Sequence, residues 1–75
     1  MAFSYKRLWK LLIDKNMNKT ALREAIGITP TTLARLSKDQ NVTMDVLGKI
    51  CHELDCGIED IVEYIEDNNN EVGGF

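Results

Sequence analysis

Thr31, Thr32 and Arg35 place two short hydroxyls and a guanidinium within little more than one helical turn. The chemistry that such a set performs is hydrogen bonding to nucleobase edges. A threonine is short enough to approach a base edge or a thymine methyl, and an arginine one turn on reaches a guanine bidentately or falls back on a phosphate. Lys19, Thr20, Thr29, Lys38, Asn41 and Thr43 surround them with donors suited to a sugar-phosphate backbone. Lys38, near the end of its helix, fits a phosphate better than a base. The same residue types are common on any helix surface, so the elements that carry them decide what they mean.

Those elements are legible around Gly27. Asn18 is a suitable N-cap for a helix from Lys19 to Ile26, with Leu22, Ala25 and Ile26 expected on its inward face. Gly27 then ends it, because glycine takes the left-handed conformation past a helix C-terminus at low cost and turns the chain sharply. Ile28 is expected to plug the corner. Thr29 and Pro30 restart a helix in the preferred order, a hydroxyl cap followed by a proline whose missing N–H costs nothing at the first helical position. This helix runs to about Lys38, burying Leu33 and Leu36 and leaving Thr31, Thr32, Arg35 and Lys38 outside. Two short helices joined by so tight a turn have the layout of a helix-turn-helix, whose first helix braces across the DNA backbone. The second then enters the major groove by its N-terminal half. Lys19 and Thr20, at the positive end of the bracing helix, are placed to clamp a phosphate.

The flanking chain supplies the scaffold. Tyr5, Leu8, Trp9, Leu12 and Ile13 form one apolar stripe of a first helix that ends near Asn16, with Lys6, Arg7 and Lys10 opposite. Trp9 lies inside the stripe and reads as a core anchor rather than a base-stacking platform. Asp39 to Val42 is a polar loop with Val42 turned inward. Thr43 caps a fourth helix, aided by Asp45 near its positive end. There Val46, Leu47, Ile50, Cys51 and Leu54 share a face, while Lys49, His52 and Glu53 point to solvent. After Asp55, Cys56 and Gly57, the spacing of Ile58, Ile61, Val62 and Ile65 predicts a fifth helix. No run predicts a strand and none repeats, so the expectation is an all-α compact five-helix domain over residues 1–66. Residues 67–75, DNNNEVGGF, read as a flexible C-terminal tail.

Composition narrows the classes. With 75 residues and 44% hydrophobic content, the chain has room for one small globular domain. No stretch is apolar enough to span a bilayer or serve as a secretory signal, which points to a soluble cytoplasmic protein. Cys51 and Cys56 therefore read as free thiols, and Cys51, His52 and Cys56 lack the second pair of ligands a zinc finger needs. No metal, cofactor or small-molecule ligand is expected. The net charge of -3 argues against a nucleic-acid partner only if it is evenly spread, and it is not. Residues 1–38 carry eight Lys and Arg against two acids, whereas residues 39–75 carry one lysine against ten acids. A basic head and an acidic rear are expected.

The residues KTALREAIGITPTTLARL at 19–36, VTMDVLGKICHELDC at 42–56 and IEDIVEYI at 58–65 resemble the Cro and Xre type of helix-turn-helix regulator, in the lambda-repressor-like fold. The likeness runs from Tyr5 to Glu66. It implies five helices, binding of double-stranded operator DNA, often as a homodimer, and a third helix over Thr29 to Lys38 in the groove. Two positions depart from the family pattern. Lys19 stands where glutamine is frequent, and Arg23 stands where a small residue is usual, so that the helix angle shifts or Arg23 snorkels outward.

The leading expectation is thus a small stand-alone transcriptional repressor that reads DNA sequence. The alternative is a protein-interaction or antitoxin-like module that binds through the acidic half, with Glu59, Asp60 and Glu63 at its centre. No nucleophile with a base, no paired carboxylates and no phosphate loop predict an enzyme. A homodimer requires a further apolar face, for which Leu11, Tyr64, Val72 and Phe75 are the candidates.

Overall fold

The computed structural model describes residues 2–66, so the expected tail, with Val72 and Phe75, lies outside the described residues. A short strand β1 (Ala2–Ser4) leads into α1 (Lys6–Asp14), α2 (Lys19–Ile26), α3 (Pro30–Ser37) and α4 (Met44–Leu54). A single 3-10 turn (Ile58–Asp60) and a second strand β2 (Glu63–Ile65) follow.

Local chemistry sets the helix boundaries. The Asn18 Oδ1 accepts the Ala21 N–H at 2.7 Å, and the Thr29 and Thr43 hydroxyls accept the Thr32 and Val46 N–H groups, each at 3.2 Å. Each cap satisfies a donor that the helix cannot satisfy internally. Each helix then stops at a residue in the left-handed region: Asn16, Gly27, Asp39 and Asp55, with φ of 57°, 73°, 56° and 53°. After every stop the next N–H reaches back to a carbonyl five residues earlier, as from Ile28 to Arg23 and from Gln40 to Arg35. Those bonds close the last turns.

The core takes one fully buried residue from each layer: Leu8 of α1, Leu22 of α2, Leu36 of α3, Ile50 of α4 and Ile61 after the 3-10 turn. Ile28 is buried at the α2–α3 corner, and Val42 and Trp9 pack against the core from its edge. Two residues of α1 and α2 expected inward are not inward. Ile13 is 72% exposed and Ala25 is exposed, while Leu11, expected on a free outer face, packs against the core. Leu11 and Ile13 stand about 100° to either side of Leu12, so helical phase alone does not choose between them; the surrounding elements cover Leu11.

The domain is mostly helical, but among the described residues it has four α-helices, not five. The helix expected over Ile58 to Ile65 closes only one turn, with Ile61 and Val62 N–H groups both donating to the Ile58 carbonyl. The chain then extends and pairs antiparallel with β1, Ala2 opposite Ile65, Phe3 opposite Tyr64 and Ser4 opposite Glu63. Isolated helices this short are marginal, and pairing with a distant β-strand outweighs the local period. The expectation of no strand is corrected with it. The Phe3 and Tyr64 rings meet on the outer face of this ribbon with centroids 5.5 Å apart.

Tyr5, directly after β1, ties the ribbon to the neighbouring α3–α4 loop. Its N–H donates to Asp39 Oδ1 and its phenol to the Gln40 carbonyl, both at 3.0 Å. The α3–α4 loop is thereby fixed from the start of α1. Among the described residues no helix is long and apolar enough to cross a membrane.

Candidate nucleic-acid interface

On α3 and its C-cap, Thr31, Arg35 and Lys38 are exposed and fall along one outward stripe at spacings of four and three residues. Leu36 points the opposite way into the core. Thr32 occupies the flank and is only partly exposed. Its hydroxyl lies 3.1 Å from that of Thr29, which also caps the helix. Thr29 therefore acts first as a structural acceptor, and the hydroxyl pair holds Thr32 in a defined rotamer.

The α3–α4 loop closes against that flank. A cleft of about 290 Å³ is lined by Thr32, Arg35, Asn41, Val42, Thr43 and Val46. Residues expected to meet bases and residues expected to meet the backbone thus share one depression. Thr43 accepts from the Val46 N–H, which leaves its own hydroxyl proton available to an outside acceptor. Among the described residues neither Arg35 nor Lys38 is paired with a carboxylate.

Lys19 and Thr20 do not join this cleft. Thr20 is exposed in the first turn of α2. The Lys19 Nζ donates to Ser37 Oγ at 3.2 Å and stands 4.3 Å from the centroid of the Trp9 ring. Ser37 is about 140° around α3 from Thr32, so these groups flank α3 from opposite sides. This arrangement has no local signal in the sequence, since it joins three helices.

The charge partition is less clean in space than along the chain. Arg7, counted in the basic half, donates to the Glu59 carbonyl at 2.9 Å and lies 3.8 Å from the Glu63 carboxylate. It holds the second half of the chain against α1. Arg23 keeps 28% of its side chain exposed, with its guanidinium 3.8 Å from the Glu24 carboxylate. Cys51 and Cys56 are free thiols. Burial, followed by the neighbouring Cys51 and Asp60, pushes the Cys56 thiol above its ordinary pKa, which keeps it protonated and poorly nucleophilic.

With short helices α2 and α3 joined at a glycine stop and an exposed polar stripe along α3, the geometry is that of a helix-turn-helix. The family model of the Cro/C1-type HTH DNA-binding domain matches residues 7–67, most of the chain. The chain belongs to this family. The chain is also similar to the crystal structure of the transcriptional regulator VanUg, with a TM-score of 0.86 and 47% identity over 88% of each chain. A comparison with curated proteins finds no match. Cro/C1-type domains are DNA-binding modules and not a class of enzymes.

Proposed function

We propose that the protein is a sequence-specific DNA-binding transcriptional regulator that represses by occupying its operator. The observation that carries this reading is the outward stripe of α3, beside the cleft that gathers Thr32, Arg35, Asn41 and Thr43. With α2 across the backbone, the N-terminal half of α3 enters the major groove. Thr31 and Thr32 then approach base edges, and Arg35 spans a guanine. Lys19, Thr20, Lys38, Asn41 and Thr43 hold phosphates on both sides, and Thr29 contributes through the helix start that it caps. Repression needs nothing beyond occupancy. The sites of action are cytoplasmic DNA sequences, read by a homodimer over two half-sites about one helical turn apart. The exposed Phe3–Tyr64 pair favours such a contact.

The interaction-module reading has weaker support. Of its three acids, Asp60 accepts the Gly57 N–H and Glu63 faces Arg7, so two carboxylates serve the fold itself.

Selection of bound sequences from a random duplex pool tests the proposal, with Arg35→Ala in parallel. A two-fold symmetric consensus is expected. The variant is expected to lose about 1–3 kcal/mol and to relax preference at one position. No enriched sequence, or a variant that binds like the unaltered chain, would sink the proposal.

A further inference from the structure

Trp9 is the single tryptophan of the chain, and its ring is only partly buried. Trp9 packs against the core, and the Lys19 ammonium lies 4.3 Å from the ring centroid. The same nitrogen donates to Ser37 Oγ at 3.2 Å. One cation therefore joins α1, the first residue of α2 and the last residue of α3. Beside it is an apolar cleft of about 270 Å³ whose walls include Trp9, Leu12, Ile13 and Met17. Among the described residues no carboxylate lies within ion-pair distance of Lys19, so its charge is not neutralised inside the fold. An ammonium has three N–H donors. The ring face and Ser37 take two directions, and one donor is left for an anion.

We propose that Trp9 is a positioning residue for DNA binding: its ring, with Ser37, holds the Lys19 ammonium fixed for a backbone phosphate. The proposal rests on the DNA-binding reading above. An exposed lysine ordinarily surrenders much rotamer freedom when it meets a phosphate, and a lysine already held over an indole surrenders less. Trp9 touches no DNA in this arrangement. It acts through Lys19.

A double-mutant cycle tests it: Trp9→Leu, Lys19→Met and the pair, titrated over a salt series with a mixed-sequence duplex of three helical turns, because phosphate contacts do not depend on sequence. Circular dichroism and thermal melting confirm that each variant is folded. Lys19→Met is expected to lower the magnitude of the log–log salt slope by about 0.9, one phosphate contact. Trp9→Leu is expected to keep the slope and weaken binding about two- to five-fold, the size of an exposed cation–π contact. It should have no further effect in the Lys19→Met background. Trp9→Phe, which keeps a π face, should recover part of the loss. An equal loss from Trp9→Leu in both backgrounds shows a packing role and overturns the proposal, as does a folded Trp9→Leu chain of unaltered affinity. If Trp9→Leu does not fold, the milder Trp9→Phe, whose π face is weaker, carries the cycle: it should weaken binding in the unaltered chain and not in Lys19→Met, and an equal loss in both or no loss in either overturns the proposal. Loss of binding from Lys19→Met alone leaves the DNA-binding reading standing without Trp9, whereas an unaltered chain that binds no duplex removes both.

Discussion

Replacing Tyr5 by phenylalanine removes one oxygen from a residue that is 4% exposed and leaves its packing in place. That oxygen donates to the Gln40 carbonyl at 3.0 Å, so the variant loses one hydrogen bond between the start of α1 and the α3–α4 loop. Gln40 is exposed, and water replaces part of what is lost. The expected cost is about 0.5–1 kcal/mol, the lower part of the range for a single bond. At about 1 kcal/mol the melting temperature of so small a domain falls by about 4–8 °C. The backbone bond from Tyr5 to Asp39 survives the substitution, so the loop stays attached by one of its two ties. A pH series separates this bond from packing. Burial, and secondarily the Asp39 carboxylate, raises the Tyr5 pKa above its ordinary value. The folded state keeps the phenolic proton to higher pH than the unfolded state, whose tyrosines titrate at about 10. The stabilisation is therefore complete below that pH and is lost as pH rises from there through the folded value. Urea denaturation of both proteins, followed by circular dichroism from neutral to strongly alkaline pH, should show a gap that narrows with rising pH. Cys56 titrates in both chains and cancels from the difference. Equal midpoints near neutrality, or a gap that holds or widens into the alkaline range, would refute the reasoning.

Other substitutions probe the turn, the caps and the corrected surface. Gly27→Ala places a Cβ in open space at φ +73°, so only backbone strain opposes it; a net loss of about 1 kcal/mol is expected in chemical denaturation, and unchanged stability would show that the corner tolerates another conformation. Asn18→Ala removes the 2.7 Å cap of α2 and should cost about 1 kcal/mol in the same assay. Ile13→Lys, at a position 72% exposed, should change stability by less than about 0.5 kcal/mol. A loss several times larger would return Ile13 to the core.

What the sequence revealed and what it hid follow from the range of the interactions involved. Asn18, Gly27, Thr29, Pro30 and Thr43 act on backbone groups within a few residues, so their roles can be read from spacing alone. Ile58, Ile61, Val62 and Ile65 also fit a local period, but their conformation is decided by Ala2–Ser4, about sixty residues away. Tyr64 and the β-branched Val62 and Ile65 were the available sign of a strand, and helical spacing masked it. The same distinction applies at the interface. The outward position of Thr31, Arg35 and Lys38 follows from helical phase, whereas the placement of Lys19 over Trp9 and against Ser37 depends on how three helices pack.

The ribbon joins the two ends of the described chain in antiparallel register, with Ala2 opposite Ile65. The chain therefore enters and leaves at the same end of the ribbon. A force applied through those two ends pulls the strands apart one hydrogen bond at a time, as a zipper opens, instead of loading all the bonds together in shear. Under tension the clasp is the first element to give, and releasing it frees both ends from a core whose helices have not yet been loaded.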